Sequence, residues 1–340
     1  MMDVPGIDSD RVSAWLASKL PDLELPIEFS ALTGGRSNLS CKCVDQRGAA
    51  YVLRRPPLGN ALESAHDMVR EHRIISAVGK ETVPVPQTYG VCEDVSITGA
   101  PFYVMRFVDG VVLMEVEQSE KLSLVDRAGV SQHLVKVLTD LHATDIDTIG
   151  LGDLARKEGY VARQLKRWTR QWEATKTHEI PEMEEAIRLL HERMPEQIGS
   201  SIVHGDYRLG NMIVADGKIQ AVLDWELCTL GDPLADLGYL LNTWVEPGEH
   251  LSDIHILGVG GFWTRDQVCD AYAQVTGKDL THINYYRGFS SWRMAAIDQG
   301  VYKRYAEEAT GDVEEMDLEE KKETVLRRAT TALEQLTNQR

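Results

Sequence analysis

Apolar positions in this chain recur with two different periods, and the change between them divides it in two. Residues 8–20 open on a helical pattern: Val12, Trp15, Leu16 and Leu20 fall on one face, with Asp8 or Ser9 placed to cap the first turn. Alternation then takes over. Runs at 27–32, 39–44, 51–54, 87–91 and 101–108 read as strands, punctuated by Thr33-Gly34-Gly35-Arg36-Ser37-Asn38, by Pro84 and Pro86, and by Asp109-Gly110. One helical stretch, 62–78, interrupts them, with Met68, His72, Ile75 and Val78 inward. From residue 113 the pattern turns helical, over 124–141, 159–175, 181–194, 264–275, 282–305 and 313–339, apart from a hairpin at 212–223. Asp232-Pro233 reads as the cap and first residue of a further helix. The expectation is an α+β chain of two lobes. Residues 1–108 form a small lobe with a five-stranded antiparallel sheet and one main helix, and residues 109–340 a larger, mostly helical lobe.

Composition narrows the classes. At 340 residues and 43% apolar the chain can bury a sizeable core. A net charge of −17 argues against nucleic acid as a partner, since phosphate backbones are bound by basic patches. It leaves open a cationic substrate or an acidic surface that serves only solubility. Five cysteines without a C-x-x-C pair suit reduced thiols. No charged-then-apolar leader and no run of about eighteen apolar residues is present, so a cytoplasmic protein without membrane partners, monomer or homodimer, is expected.

The candidate chemistry is concentrated in two short pieces. The first is Ile202-Val203-His204-Gly205-Asp206-Tyr207-Arg208-Leu209-Gly210-Asn211-Met212-Ile213-Val214. The second is Ala221-Val222-Leu223-Asp224-Trp225-Glu226, followed by Gly231-Asp232-Pro233-Leu234-Ala235-Asp236. Apolar runs flank a polar turn carrying Asp206 and Asn211 five residues apart, and a hairpin brings in Asp224. Phosphoryl transfer from a nucleotide needs this set: a carboxylate for the acceptor hydroxyl, and an amide and a carboxylate for magnesium. Asp206 is therefore the candidate base, Arg208 the candidate cation for the transferring group, and Asn211 and Asp224 the candidate Mg2+ ligands. His204 and Asp236 read as bracing groups, and Glu226 as either a contact to metal-bound water or an arginine partner. The Gly34-Gly35 turn with Ser37 and Asn38 would let backbone N–H groups approach a phosphate, although most such hairpins are only turns.

These stretches resemble the aminoglycoside phosphotransferase family, a branch of the protein-kinase-like fold that includes choline kinases, over about residues 27–305. More narrowly, Leu32-Thr33-Gly34-Gly35-Arg36-Ser37-Asn38, Tyr51-Val52-Leu53-Arg54-Arg55-Pro56-Pro57 and His204-Gly205-Asp206-Tyr207-Arg208 are similar to the phosphotransferase domains associated with acyl-CoA dehydrogenases. The resemblance implies an ATP- and magnesium-dependent kinase with a small-molecule hydroxyl acceptor. Arg54 stands where kinases carry a phosphate-binding lysine, with Glu71 as its helix partner. Met105, with the backbone of Arg106 and Val108, would meet adenine. Arg54 leaves open ATP or GTP. Asp153, Glu158 and Asp298 are the carboxylates that would matter for a polycationic acceptor. Tyr285, Tyr286, Arg287, Trp292 and Arg293 suit an anionic or acyl-linked alcohol such as a hydroxyacyl-CoA. Trp168 and Trp172 read as core or as the floor of a cleft. The other class to weigh is a nucleotide-binding pseudokinase acting as an interaction module.

Overall fold

A computed structural model describes residues 4–32, 38–58, 67–246, 249, 256–307 and 317–338. The chain opens with α1 (Ser9–Lys19), capped by the Asp8 carboxylate, which accepts from Arg11 N at 3.1 Å. Strands β1 (Glu28–Leu32), β2 (Leu39–Val44) and β3 (Ala50–Arg55) precede α2 (Met68–Val78). Then come β4 (Thr88–Cys92), the single turn α3 (Val95–Thr98) and β5 (Phe102–Arg106). The five strands form one sheet in the order β1-β2-β3-β5-β4, every neighbouring pair antiparallel. Residues 59–66, which include the expected start of the 62–78 helix, and Gly34, Gly35 and Ser37 lie outside the described residues.

Alternation along β3 and β5 sorts their side chains between two cores. Tyr51, Leu53, Phe102 and Val104 pack beneath α1 with Val12 and Leu16. Val52, Tyr103 and Met105 turn the other way, toward Ile74, Ile75 and Val78 of α2 and the interior of the helical part. Arg54, two residues after Val52, follows that second face and reaches the large cavity between sheet and helices.

The rest of the chain runs β6 (Val111–Val112), α4 (Val116–Glu120), α5 (Leu124–Ala143), α6 (Tyr160–Thr175), α7 (Pro181–Glu192), β7 (Ser201–Val203), β8 (Met212–Ala215), β9 (Lys218–Val222), β10 (Thr229–Gly231), α8 (Leu234–Thr243), α9 (Arg265–Thr276), α10 (Ile283–Ala306) and α11 (Leu318–Thr337). β8 and β9 form the expected hairpin, joined by β6, and β7 pairs with β10. α8 is buried along nearly its whole length and crosses α10 closely. It begins one residue later than Asp232-Pro233 suggests. Pro233 precedes the first turn, and the buried Asp232 carboxylate accepts from Leu234 N (3.0 Å) and from the Tyr286 hydroxyl (2.7 Å).

Three aromatic expectations need correcting. Tyr285, Tyr286 and Trp292 are core residues, because α10 is covered on most of its circumference; the Tyr285 hydroxyl donates to Leu190 O at 2.8 Å. Trp172 is likewise fully buried, its indole N–H on Glu184 Oε1 (2.9 Å), and neither it nor Trp168 lines the cavity. Among the described residues no helix is long and apolar enough to cross a membrane.

The α8–α10 crossing depends on Gly238, where an added Cβ would lie 2.8 Å from both the carbonyl carbon and Cβ of Tyr286. Backbone cannot yield there as a flexible side chain could. Gly238→Ala is expected to lower stability by about 1–3 kcal/mol, read as a lower urea midpoint with an unchanged slope.

Candidate active site

The loop between β7 and β8 is held from behind by one buried carboxylate. Asp236, in the first turn of α8, accepts from His204 N at 2.6 Å through Oδ2 and from Gly205 N at 2.8 Å through Oδ1. His142 approaches Oδ2 at 3.5 Å while its other ring nitrogen meets the Tyr272 hydroxyl at 2.8 Å. His204 takes no part in the cavity. Its Nε2–H donates to Leu223 O (3.0 Å) and its Nδ1 accepts from Asp206 N (3.2 Å), which requires one neutral tautomer and ties the two candidate pieces together. Gly205 has φ 87°, and a Cβ there would meet Leu227 O at 2.9 Å, so only glycine fits the turn.

This frame presents Asp206 to the cavity. Its Oδ2 accepts from Asn211 Nδ2 at 2.7 Å, and the same amide nitrogen donates to Asp206 O at 2.9 Å. Oδ1 accepts from Arg208 Nε at 3.2 Å and from the Tyr239 hydroxyl. The five-residue interval thus returns as a closed ring through the short turn at Leu209–Asn211.

Asp224 sits just past β9 in the left-handed region, φ 63°, a conformation costing an aspartate about 1 kcal/mol. The turn is held by Leu223 N donating to Asn211 O (2.8 Å) and the Trp225 indole N–H donating to Val222 O (3.0 Å). Arg54 spans from the sheet: Nη2 lies 2.7 Å from Asp224 Oδ1, and Nε lies 3.3 Å from Glu71 Oε1. Burial opposes the charge on Arg54, but Glu71 and Asp224 outweigh it and the guanidinium is pushed up, so it stays charged. Burial pushes the Glu71 carboxyl above its ordinary value against the pull of Arg54. Asn38 is not among the cavity-lining residues; its amide donates to Glu226 Oε2 at 3.1 Å, joining the start of β2 to the residue two past Asp224.

Asn211 commits its amide nitrogen to Asp206, leaving its oxygen, and Asp224 adds a carboxylate: a donor set of oxygens that suits magnesium. Among the described residues no group of three or more His, Cys, Asp or Glu side chains could hold a metal ion, so a cation here would draw its remaining ligands from phosphates and water.

The cavity has a volume of about 1140 Å³, above the usual range of about 300–1,000 Å³ for one small ligand. Arg54, Met105, Arg106 and Val108 line its sheet side; Asp206, Arg208, Asn211 and Asp224 line its centre. The far side holds residues that sequence patterns did not single out: Tyr239 and Asn242 of α8, Arg265, and Lys321, Arg327 and Arg328 of α11. The final helix is therefore a wall of the cavity as well as packing for α10. Of the three carboxylates named for a polycation, only Asp298 reaches the cavity, and it is paired with Lys321 (2.5 Å) and Arg328 (2.7 Å). Asp153 pairs with Arg73, and Glu158 lies 3.7 Å from Arg156, both at the surface. Arg287 lines the cavity; Arg293 is buried and donates to Gly205 O at 2.9 Å.

A small antiparallel sheet over a helical body, with a carboxylate, an amide and a second carboxylate facing the cavity between them, defines a phosphotransferase of the protein-kinase-like fold. Residues 28–269 match the phosphotransferase enzyme family, and the chain belongs to it. Acyl-CoA dehydrogenase family member 10 of Mus musculus is 36% identical over 82% of this chain and 27% of its own length. Family member 11 of Gallus gallus is 33% identical over 76% and 34%. The chain thus spans about a third of these relatives. A candidate aminoglycoside phosphotransferase from Ralstonia eutropha has a solved structure with TM-score 0.82 and 32% identity, covering 97% of this chain and 98% of that one. Aminoglycoside phosphotransferase APH(4)-Ia, solved with AMP-PNP and hygromycin B, shares the fold at TM-score 0.64 and 16% identity over 96% and 99%.

Asp236 makes a pH test available. Burial would raise its carboxyl, but His142, His204 and Gly205 together hold it below the ordinary 3.8. A depressed folded value gives stability that is full above about pH 5 and is lost as pH falls through that lower value. Asp236→Asn should cost about 2–4 kcal/mol at neutral pH, with the difference from wild type closing below about pH 4, followed by urea unfolding across pH.

Proposed function

We propose that the protein transfers the γ-phosphoryl group of ATP to a hydroxyl of an anionic, acyl-linked small molecule, with a hydroxyacyl-CoA as the best-fitting class. The observation that carries this is the charge of the far wall. Arg265, Arg287, Lys321, Arg327 and Arg328 line it; among the described residues its carboxylate is Asp298, already held by two of those cations, while Asp206, Asp224 and Glu226 lie on the side of the candidate base and metal ligands. An overall charge of −17 makes a cationic wall in the cavity specific rather than compositional. A polycationic aminoglycoside would meet repulsion there. Phosphate-bearing acceptors would not, and Val111, Met114 and Met294 give an acyl chain apolar surface in the same cavity. The acyl-CoA dehydrogenase relatives support the same class.

In this reading ATP lies under the sheet. Arg106 N is spent on Gln87 O (2.7 Å), so adenine would be met by the Arg106 carbonyl and the Val108 backbone, beside Met105. Arg54, fixed by Glu71, meets the phosphates. Asn211 and Asp224 would hold Mg2+, which would there neutralise phosphate charge. Asp206 orients the acceptor hydroxyl and takes its proton as the acceptor oxygen bonds to the γ-phosphorus. The bond from that phosphorus to its bridging oxygen breaks, and ADP leaves. Arg208 can turn from Asp206 to the transferring group, where charge is shared over its oxygens. Residues 1–108 and 109–340 act as the two lobes of a cytoplasmic enzyme, monomer or homodimer. A pseudokinase reading would call for a missing base or metal ligand; that Asp206, Asn211 and Asp224 all line the cavity supports the kinase reading instead.

The test is a magnesium- and ATP-dependent screen by mass spectrometry over aminoglycosides, choline-like amines, sugars and hydroxyacyl-CoA thioesters. A hydroxyacyl-CoA should gain one phosphoryl group, and Asp206→Asn should reduce the rate about 10²–10⁴-fold. Phosphorylation of an aminoglycoside in preference to the thioesters would sink the acceptor assignment. Tight MgATP binding without any product would favour the interaction module. For an accepted thioester, Arg287→Ala with Arg327→Ala should raise its KM at least about tenfold while leaving the KM for ATP unchanged, as expected for lost ground-state binding.

A further inference from the structure

Tyr239 occupies a position that helix packing alone does not explain. It lies three residues after Asp236, on the same face of α8, so one helix face holds both the backbone ahead of Asp206 and, through the Tyr239 hydroxyl, the Asp206 carboxylate itself. The ring is buried, 7% exposed, and the Arg293 guanidinium stacks 5.5 Å from its centre. Arg293 in turn donates to Gly205 O at 2.9 Å. The circuit Asp206–Tyr239–Arg293–Gly205 therefore closes on the loop it supports. A leucine or phenylalanine would fill the same space; only the hydroxyl reaches Asp206.

A carboxylate has about four lone-pair directions. Three are taken here, by Tyr239 and Arg208 on Oδ1 and by Asn211 on Oδ2, and Tyr239 still holds Oδ1 when Arg208 turns to the transferring group. We propose that Tyr239 is a positioning residue for Asp206: its hydroxyl locks the carboxylate in one rotamer so that the remaining direction stays turned to the acceptor hydroxyl. Burial pushes the phenol well up, so it remains a donor at any working pH. The inference rests on Asp206 being the base, and it assigns to α8 a role in reactivity as well as in the core.

Tyr239→Phe keeps the ring, its packing and its contact with Arg293. Two measurements on the full chain decide the matter. In a crystal structure of the variant, the Asp206 carboxylate should leave its single rotamer or divide between two. In kinetics with β-hydroxybutyryl-CoA as probe, kcat should fall about 10²-fold, as for a small misplacement of a reacting group, with KM for MgATP and for the probe changed less than about twofold. An unmoved carboxylate overturns the proposal, and so does a kcat within about twofold of wild type. A raised KM for the probe at constant kcat would instead make Tyr239 an acceptor-binding residue and overturn it as well. If wild type does not phosphorylate the probe, the acceptor assignment has failed, and the crystal structure alone decides the role of Tyr239.

Discussion

The site depends on a single buried carboxylate. Asp236 has no exposure to solvent, and a charge so placed persists only when it is paired and hydrogen-bonded. It meets that requirement with the His204 and Gly205 N–H groups and the His142 ring. The same bonds immobilise the peptide immediately before Asp206. His204 carries the constraint onward to Leu223, and thus to the turn that presents Asp224. Removing that carboxylate would loosen the reactive loop and the candidate metal site together, because both hang on the same few hydrogen bonds.

A second set of contacts fixes the sheet to the helical body. Arg54 joins α2 and Asp224; Arg70 of α2 donates to Cys228 O at 2.5 Å; Arg73 donates to Gly150 O at 2.7 Å; Val222 N donates to Pro84 O at 2.8 Å. The first turns of α2, through Arg70, Glu71 and Arg73, thus face the segment after β9 or the loop after α5. The helix that orients Arg54 is held to the body in the same state that aligns Asp206 and Asn211. Contacts of this kind lower the cost of assembling a site during binding.

The charges are distributed unevenly, and that distribution bears on the acceptor. Acidic residues dominate the chain as a whole, yet α10 and α11 turn Arg287, Lys321, Arg327 and Arg328 into the cavity. Inside a cavity those cations are screened less than charges on the open surface. Arg265 is held by Glu246 and by Glu249 at 2.5 Å, as Lys321 and Arg328 are held by Asp298.

What the residues alone determined is whatever the backbone period and short intervals control. Alternation put Arg54 beside Val52, because successive strand residues point to opposite faces. The five-residue step from Asp206 to Asn211 spans one tight turn, so their contact follows from chain geometry. His204 and Asp236 were legible as bracing groups beside apolar runs. The tertiary structure alone decided the far wall. Tyr239 meets Asp206 across 33 residues, and Lys321 meets Asp298 across 23, because α8, α10 and α11 pack as they do. The same packing took Tyr285, Tyr286 and Trp292 into the core, since a helix covered on most sides has no apolar stripe to tell buried aromatics from cavity-lining ones. Periodicity reports which residues share a face; which face meets the substrate is set by what the neighbouring helices leave uncovered.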